Sequence, residues 1–466
     1  MELQLRLSGL HHQVLIDHLL PADGREAVAV CLCGRHITSE KVILTVHDIT
    51  LIPHNECFSR SYDLLQWPTD RIIPYFERIG RQDMALLKIH SHPGGYDKFS
   101  NTDDQSDYEC FDSAFGWATD IHPHASAVML PGGKIFGRFF FQDLHHQPIN
   151  KVLIAGDDIL IYKDGISVGI GEFAIRTAQA FGEKTYKQLK DLTVGVVGCS
   201  GTGSPLIEQL VRLGIGSLVI ADPDTVEFKN LNRILNTTHA DAAMKRPKVE
   251  VLKNAIQKIG LDTIVFSYQE NLYDSKPLLE KLAECDIVFG CMDSVDGRYL
   301  LNQLCSFYLL PYFDLGIKLE ADGKGGIEKI CGSVHYIQPG KSSLISRGVY
   351  SVEDVRAAGQ LRKNPDEFEN LRKNAYIKNV NVNSPAVISV NMHIASHAVN
   401  EFLNRIHSFK ADPSKKYALS TIDITESYIV NVSEDEMPED SYLRKKMGRG
   451  SMIPFLEMPE LAHGTV

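Results

Sequence analysis

Apolar positions in the first third of this chain come in short runs broken by polar and glycine-rich turns. Residues 26–33 (EAVAVCLC), 41–46 (KVILTV) and 85–89 (ALLKI) predict strands. Residues 125–130 and 134–140 predict a hairpin around Pro131-Gly132-Gly133. Residues 70–78 and 104–115 predict helices, and the order of elements predicts a mixed α+β unit. Residues 145–170 are rich in Gly and Asp and suit a boundary. A new pattern then begins. Residues 194–197 form a buried strand, and Gly198, Gly201 and Gly203 form a turn. Ser204 suits a helix cap, Pro205 its first turn and Gly214 its stop, with Leu206, Leu210 and Leu213 on one face. Residues 217–221 form a second strand ending on Asp222. Strand, glycine turn, helix and strand make an α/β nucleotide unit, with a helix N-terminus for phosphate and an acidic residue for ribose. The expected domains are 1–150, a linker at 151–169, 170–410, and an extension at 411–466 with acidic, basic and apolar stretches.

The bulk composition narrows the partners. The 466 residues suffice for two or three domains, and the net charge of -11 argues against nucleic acid. No apolar run reaches membrane-spanning length, and the first ten residues lack the regions of a signal peptide. Nine cysteines, none in a CxxC pair, read as reduced thiols of a cytoplasmic protein. All nine lie at or before Cys331.

His90 and His92 come just after the strand at 85–89 as H-x-H, and Ser100 and Asp103 come next as S-x-x-D. Histidines at i and i+2 on a strand share one face and reach one metal. The Ser–Asp spacing is that of a helix N-cap, which sets Asp103 beside the imidazoles. Three protein ligands leave zinc a position for chemistry. The set resembles the JAMM/MPN (JAB) metallopeptidase family. The resemblance implies a cytidine-deaminase-like α+β fold, zinc on His90, His92 and Asp103, and hydrolysis after the C-terminal Gly of a ubiquitin-like protein. It also implies an upstream glutamate as general base and Ser100 as hydrogen-bond donor to the oxyanion. Glu26 is the best match for that base, with Glu40 and Glu56 as alternatives. His11, His12, His122, His124, His145 and His146 lack such context and read as surface residues, while Cys31 and Cys33 read as core.

The glycine turn alone also describes a dehydrogenase. The residues downstream of the turn are more specific: Asp222-Pro-Asp224, Asn230-Leu-Asn-Arg233, Lys248, and Asp293 in CDIVFGCMDSVDGRYL. Over about residues 170–402 this ordered set resembles the ThiF/MoeB/ubiquitin-activating adenylyltransferase family. The resemblance implies that Gly198, Gly201 and Gly203 cradle ATP, and that Asp222 contacts ribose. Asn230, Arg233 and Lys248 would reach the phosphates, and Asp293 would hold magnesium. Arg176, six residues before Gly182, would enter a partner's site in a homodimer built through this domain. The chain departs from the family downstream, where Ser343, Ser346 and Ser384 stand in place of expected cysteines. Three outcomes stay open for the activated carrier: direct transfer to a conjugating enzyme, an oxyester on one of these serines, or a thioester on Cys199, Cys291 or Cys331.

Together the resemblances imply a bifunctional enzyme of a bacterial ubiquitin-like conjugation pathway, in an antiviral setting. It would activate the carrier's C-terminal Gly with ATP and magnesium, and cut after that Gly with zinc. The alternatives are a sulfur-carrier adenylyltransferase with a processing peptidase, and an inactive scaffold that binds a ubiquitin-like protein.

Overall fold

A computed structural model describes residues 1–118, 121–163, 171–321, 326–363, 387–452 and 455–458. The chain forms two compact units. The first comprises Met1–Ile166, Ser306–Leu309 and Lys445–His463; the second comprises most of the remainder.

In the first unit the strands are β1 Glu2–Ser8, β2 Val28–Ile37, β3 Lys41–Leu51, β4 Ser59–Arg60, β5 Leu65–Gln66 and β6 Ala85–Ser91. They continue as β7 His124–Met129, β8 Ile135–Phe140, β9 His146–Pro148, β10 Lys151–Ala155 and β11 Ile159–Tyr162. Nine of them make one sheet in the order β11-β10-β1-β3-β2-β6-β7-β8-β9, and β4 and β5 pair separately. Both faces are covered, which is why EAVAVCLC reads as an unbroken apolar run. Cys31 and Cys33 of β2 pack with Leu15 and Leu19 of the helix Gly9–Leu19. Val30 and Leu32 face the other way, onto Ile79 of the helix Ile73–Gln82 and Phe111 of the helix Asn101–Ala118.

Three expectations change here. The stretch 151–169 is not only a linker: β10 pairs with β1, and β11 with β10, because residues 151–155 are all buried. The extension at 411–466 is divided between the units. Its Gly448 carbonyl accepts from Gly34 N at 3.1 Å and Thr45 Oγ1 at 2.8 Å, within the first. His11, His12 and His124 are buried rather than on the surface. His124 Nδ1 accepts from Leu86 N at 3.0 Å, so its ring caps a neighbouring strand.

The second unit holds β12 Thr193–Val197, β13 Ser217–Ala221, β14 Ile264–Tyr268, β15 Ile287–Gly290, β16 Tyr312–Ala321, β17 Ile327–Ile337, β18 Leu419–Asp423 and β19 Tyr428–Val432. Their order is β14-β13-β12-β15-β16-β17-β18-β19. The first five are parallel and the last three run antiparallel. From β12 the chain builds outward through β13 to β14, then returns to lay β15 on the other side of β12. The order therefore switches between β12 and β15, and open sheets of this kind bind ligands at the C-terminal ends of the strands at such a switch. The helix Ile388–Ile406 packs against the helix Gly203–Arg212 that comes after β12. Among the described residues no helix is long and apolar enough to cross a membrane.

Candidate functional site

Two groups of side chains stand out, one in each unit. In the first, His90 on β6 and His92, one residue past its end, have their Nε2 atoms 3.1 Å apart. Asp103 Oδ1 lies 2.9 Å from His90 Nε2 and Oδ2 lies 3.4 Å from His92 Nε2. Ser100 fixes the carboxylate through a reciprocal cap: its N and Oγ both donate to Asp103 Oδ2 at 2.7 Å, and Asp103 N donates to Ser100 Oγ at 3.1 Å. His92 Nδ1 lies 2.7 Å from the Tyr96 carbonyl, which only accepts, so that nitrogen carries the proton. Its Nε2 faces Asp103 and His90 and would offer its lone pair to an ion held there. One ligand atom from each residue lies within 4.8 Å of the others, and the two nitrogens and one carboxylate oxygen fit zinc. Burial raises the Asp103 carboxyl, but bonds from His90, His92 and Ser100 outweigh it and hold it well below the carboxylate range. Burial also lowers the His90 imidazole, with Asp103 acting the other way.

Glu26 reaches this cluster by strand pairing. Ser91 N donates to Ala27 O and Ala27 N to Ser91 Oγ, each at 3.0 Å, and Val28 lies opposite His90. Glu26 itself precedes β2 and is held by β4. Its N donates to Ser61 O at 2.8 Å, and Arg60 Nε donates to its carbonyl at 2.7 Å. Burial pushes its carboxyl up to about 7, with His92 opposing. Glu56 instead pairs with Arg71 at 2.6 Å, and Glu40 is exposed in the turn between β2 and β3, at the far end of β2 from Glu26.

The sequence reading missed a second rung beneath the first. Lys88, two residues before His90, donates to Asp107, four residues after Asp103, at 2.8 Å. Arg138 of β8 closes on the same carboxylate from Nε at 3.1 Å and from Nη2 at 2.7 Å. Its guanidinium stacks 3.8 Å over Phe99. The signal was present as same-face spacing on a strand and on a helix.

In the second unit, the glycine turn lies at the switch between β12 and β15. Gly198 has φ +95, and a Cβ there would come within 2.6 Å of the Cys291 carbonyl. A Cβ on Gly203 would lie 1.8 Å from the Gly198 carbonyl, so the turn closes only with glycine. The helix begins at Gly203, two residues earlier than expected, and no side chain caps it. Ser204 is not the cap; its Oγ accepts from Leu235 N at 3.0 Å. Ser204 N already donates to Ser200 O at 2.9 Å and Pro205 has no N–H, so the backbone donors that suit a nucleotide's phosphates are those of the glycine turn itself.

Asp222 Oδ2 accepts from Cys199 N at 2.7 Å, and Oδ1 from Asp224 N at 3.0 Å. Lys248 Nζ sits 3.3 Å from Asp222 and 2.7 Å from Asp224. It thus ties the two carboxylates together. Burial raises the Asp222 carboxyl, with Lys248 pulling it back. Asn230 is buried, and its Oδ1 accepts from Glu227 N at 3.0 Å in a local capping box. Arg233 leans on the turn, its Cδ 3.0 Å from where a Gly201 Cβ would lie. Asp293 is exposed on the segment after β15, beside the turn, and Arg176 is exposed on the helix Ile175–Phe181. Behind Asp293, the Arg298–Asp314 ion pair and Tyr312 form a buried anchor that the sequence reading did not single out.

The downstream serines are engaged. Ser343 Oγ donates to Asp440 at 2.6 Å, and Ser346 Oγ accepts from Ser343 N at 2.8 Å. Ser384 lies outside the described residues.

Comparison with known proteins places this second unit. The chain is 28% identical over 174 residues to ubiquitin-like modifier-activating enzyme 5 of Drosophila mojavensis, covering 35% of this chain and 41% of that enzyme. The same enzyme of Bombyx mori is 28% identical over 172 residues, again spanning 41% of its length. Among solved structures, E. coli MccB with ATP is 20% identical at a TM-score of 0.43, covering 58% of this chain and 73% of that one. PaaA is 18% identical at 0.42, covering 59% and 86%. The ThiF family model matches residues 174–439, which run from the helix before β12 to beyond β19 and take in the glycine turn, Asp222 and the segment after β15. More than half of the sequence is thus accounted for, and the chain belongs to the ThiF family.

Proposed function

We propose that the second unit adenylates the C-terminal carboxylate of a ubiquitin-like protein. The observation that carries this reading is the turn at the strand switch that closes only with glycine, with Asp222 bonded into it. In this reaction a carboxylate oxygen attacks the α-phosphorus of ATP, the α–β phosphoanhydride bond breaks, and pyrophosphate leaves. The N–H groups of the glycine turn and Arg233 offset the charge that grows on the phosphates. Asp222, held by Cys199 N and Lys248, presents a fixed acceptor to the ribose. Lys248 acts through Asp222 and Asp224 in this arrangement. Asp293 would hold magnesium, which neutralises the triphosphate. Arg176 would act in the site of a second copy, and a conjugating enzyme would take the product.

The first unit, on this proposal, is a zinc peptidase that cuts after the same C-terminal Gly. His90, His92 and Asp103 would hold the ion, which supplies Lewis-acid chemistry to the scissile carbonyl. Glu26, poised near neutrality by burial, takes a proton from the attacking water and returns it to the leaving amine. Ser100 keeps Asp103 in place through its cap, and its hydroxyl would donate to the oxyanion.

The test is ATP–pyrophosphate exchange with a Gly-ended ubiquitin-like protein, alongside zinc content and cleavage of a fusion carrying residues beyond that Gly. Carrier-dependent exchange together with cleavage supports both halves. No exchange with a range of such carriers removes the first, and a zinc-free protein that still cleaves removes the second.

A further inference from the structure

Glu26 sits where its own stretch of chain does little to hold it. Residues 22–25 are exposed, Gly24 turns at φ +66, and Glu26 comes before the first residue of β2. An exposed turn of this kind opens easily, whereas a general base must stay within hydrogen-bond reach of its proton.

Arg60 of β4 braces this turn. Its Nε donates to the Glu26 carbonyl at 2.7 Å, and its Nη2 donates to the Arg25 carbonyl at 3.3 Å. Nη1 and Nη2 also hold the two carboxylate oxygens of Asp23, at 2.8 and 3.0 Å. Every guanidinium nitrogen is thus engaged by residues 23–26, a use of the rigid fork that a lysine could not match. Next along the chain, the Ser61 carbonyl accepts from Glu26 N at 2.8 Å, so both backbone polar groups of Glu26 end on Arg60 and Ser61. The hairpin then reaches the loop after His92: the Tyr62 hydroxyl lies against Gly94, where a Cβ would come within 1.8 Å of it. The brace spares the carboxylate. Arg60 pairs its charge with Asp23 and touches Glu26 through the carbonyl, which leaves the Glu26 carboxyl to burial and to the groups of the site. An arginine on the carboxylate itself would pull it well below neutrality.

We infer that Arg60 is a positioning residue of the peptidase site: it fixes the backbone of Glu26, and so the base, beside the metal cluster without pairing with the carboxylate. The inference rests on the peptidase half of the proposed function. Asp23 is 44% exposed, so losing its ion pair with Arg60 costs the fold little, and the loss falls on the geometry of the base.

The experiment uses the zinc-loaded full chain and a Gly-ended ubiquitin-like fusion. Arg60→Ala is expected to lower kcat about 10- to 100-fold, with KM within about twofold and zinc affinity by dye competition unchanged. Arg60→Lys keeps a charge at Asp23 but loses the fork, and is expected to fall between wild type and Arg60→Ala. In a Glu26→Ala background, Arg60→Ala should lower the residual rate by less than about twofold, because the base it positions is gone. Amide hydrogen exchange at Glu26, read without substrate, should quicken at least about tenfold in Arg60→Ala. A general packing role would instead lower the residual rate and loosen zinc. Arg60→Gln replaces the alanine variant if that one fails to fold. Wild-type kcat in Arg60→Ala, an equal loss with and without Glu26, or unchanged exchange at Glu26 overturns the inference. Failure of the peptidase reading looks different: zinc-loaded wild type would cut no such fusion, while exchange at Glu26 would still respond to Arg60.

Discussion

Replacing Asp107 by alanine is the sharpest perturbation of the first unit. Its carboxylate is fully buried and accepts from Lys88 Nζ at 2.8 Å and from Arg138 at 3.1 and 2.7 Å. The variant leaves two cations buried with only Ser106 and the half-exposed Asp104 beside them. Breaking a buried ion pair from one side costs about 3–5 kcal/mol. For a unit of this size that lowers the midpoint of thermal unfolding by about 10 °C. Burial raises the Asp107 carboxyl, and Lys88 and Arg138 outweigh it, so its folded-state value is lowered. The stabilisation is therefore complete above the ordinary carboxyl value of about 3.9 and fades as pH falls through the lower folded one. Wild type and variant should converge only in acid. The same rung aligns His90 with Asp103, so zinc affinity should fall about 10- to 100-fold. The assay is thermal unfolding by circular dichroism, read on the transition that shifts with a zinc chelator, plus zinc competition against a chelating dye. Replacing all three residues together, as Lys88→Met, Asp107→Leu and Arg138→Met, should recover much of the stability, because no charge is stranded. An Asp107→Ala protein within about 1 kcal/mol of wild type at pH 7 would refute the reasoning.

Asp103→Ala should lose zinc, as measured by metal analysis after dialysis, while Glu26→Ala should keep zinc and lose cleavage of a ubiquitin-like fusion. Gly203→Ala drives a Cβ to 1.8 Å from a backbone carbonyl, so magnesium-ATP binding should drop at least about 100-fold by calorimetry with zinc content unchanged. Arg176→Ala and Asp293→Ala should each suppress pyrophosphate exchange. Mixing the two should return part of it if each copy lends Arg176 to the other, and no return in exchanged dimers would count against the homodimer.

How far the sites could be read from sequence depended on the range of the contacts. The H-x-H and S-x-x-D spacings are local, and strand period and helix cap translate them directly into the cluster of His90, His92 and Asp103. Glu26 required the pairing of β2 with β6, which spacing alone does not give. β1 lies outside the strands that the sequence pattern predicts: Leu3, Leu5 and Leu7 alternate there with Gln4, Arg6 and Ser8, yet all six are buried. The resemblance puts Lys248 at phosphate; in the fold its Nζ lies between Asp222 and Asp224, carboxylates that spacing alone does not bring to it. The bonds of Asn391 to Thr202 and of Ser343 to Asp440 span long sequence separations and carried no motif at all.

The same distinction bears on how an activated carrier would leave the second unit. Cys199 is fully buried in the glycine turn, and burial pushes both its thiol and that of Cys291 well above the cysteine range. A thiol so placed yields little thiolate and has little room to swing toward an adenylate. Cys331 is central in β17, paired with Lys318 on one side and Asp423 on the other, so its backbone is fixed. Ser343 is 2% exposed and its hydroxyl is committed to Asp440. The loop around it is clamped further: Arg347 bonds Glu434 at 2.8 Å, and Ser342 bonds the same carboxylate. This loop is a rigid strut of ion pairs and hydrogen bonds, where an acyl acceptor needs an exposed nucleophile that moves. On the proposed reaction, the described part of the chain thus forms the adenylate and offers it no good internal acceptor, which favours direct attack by a partner's nucleophile over a covalent intermediate on this enzyme.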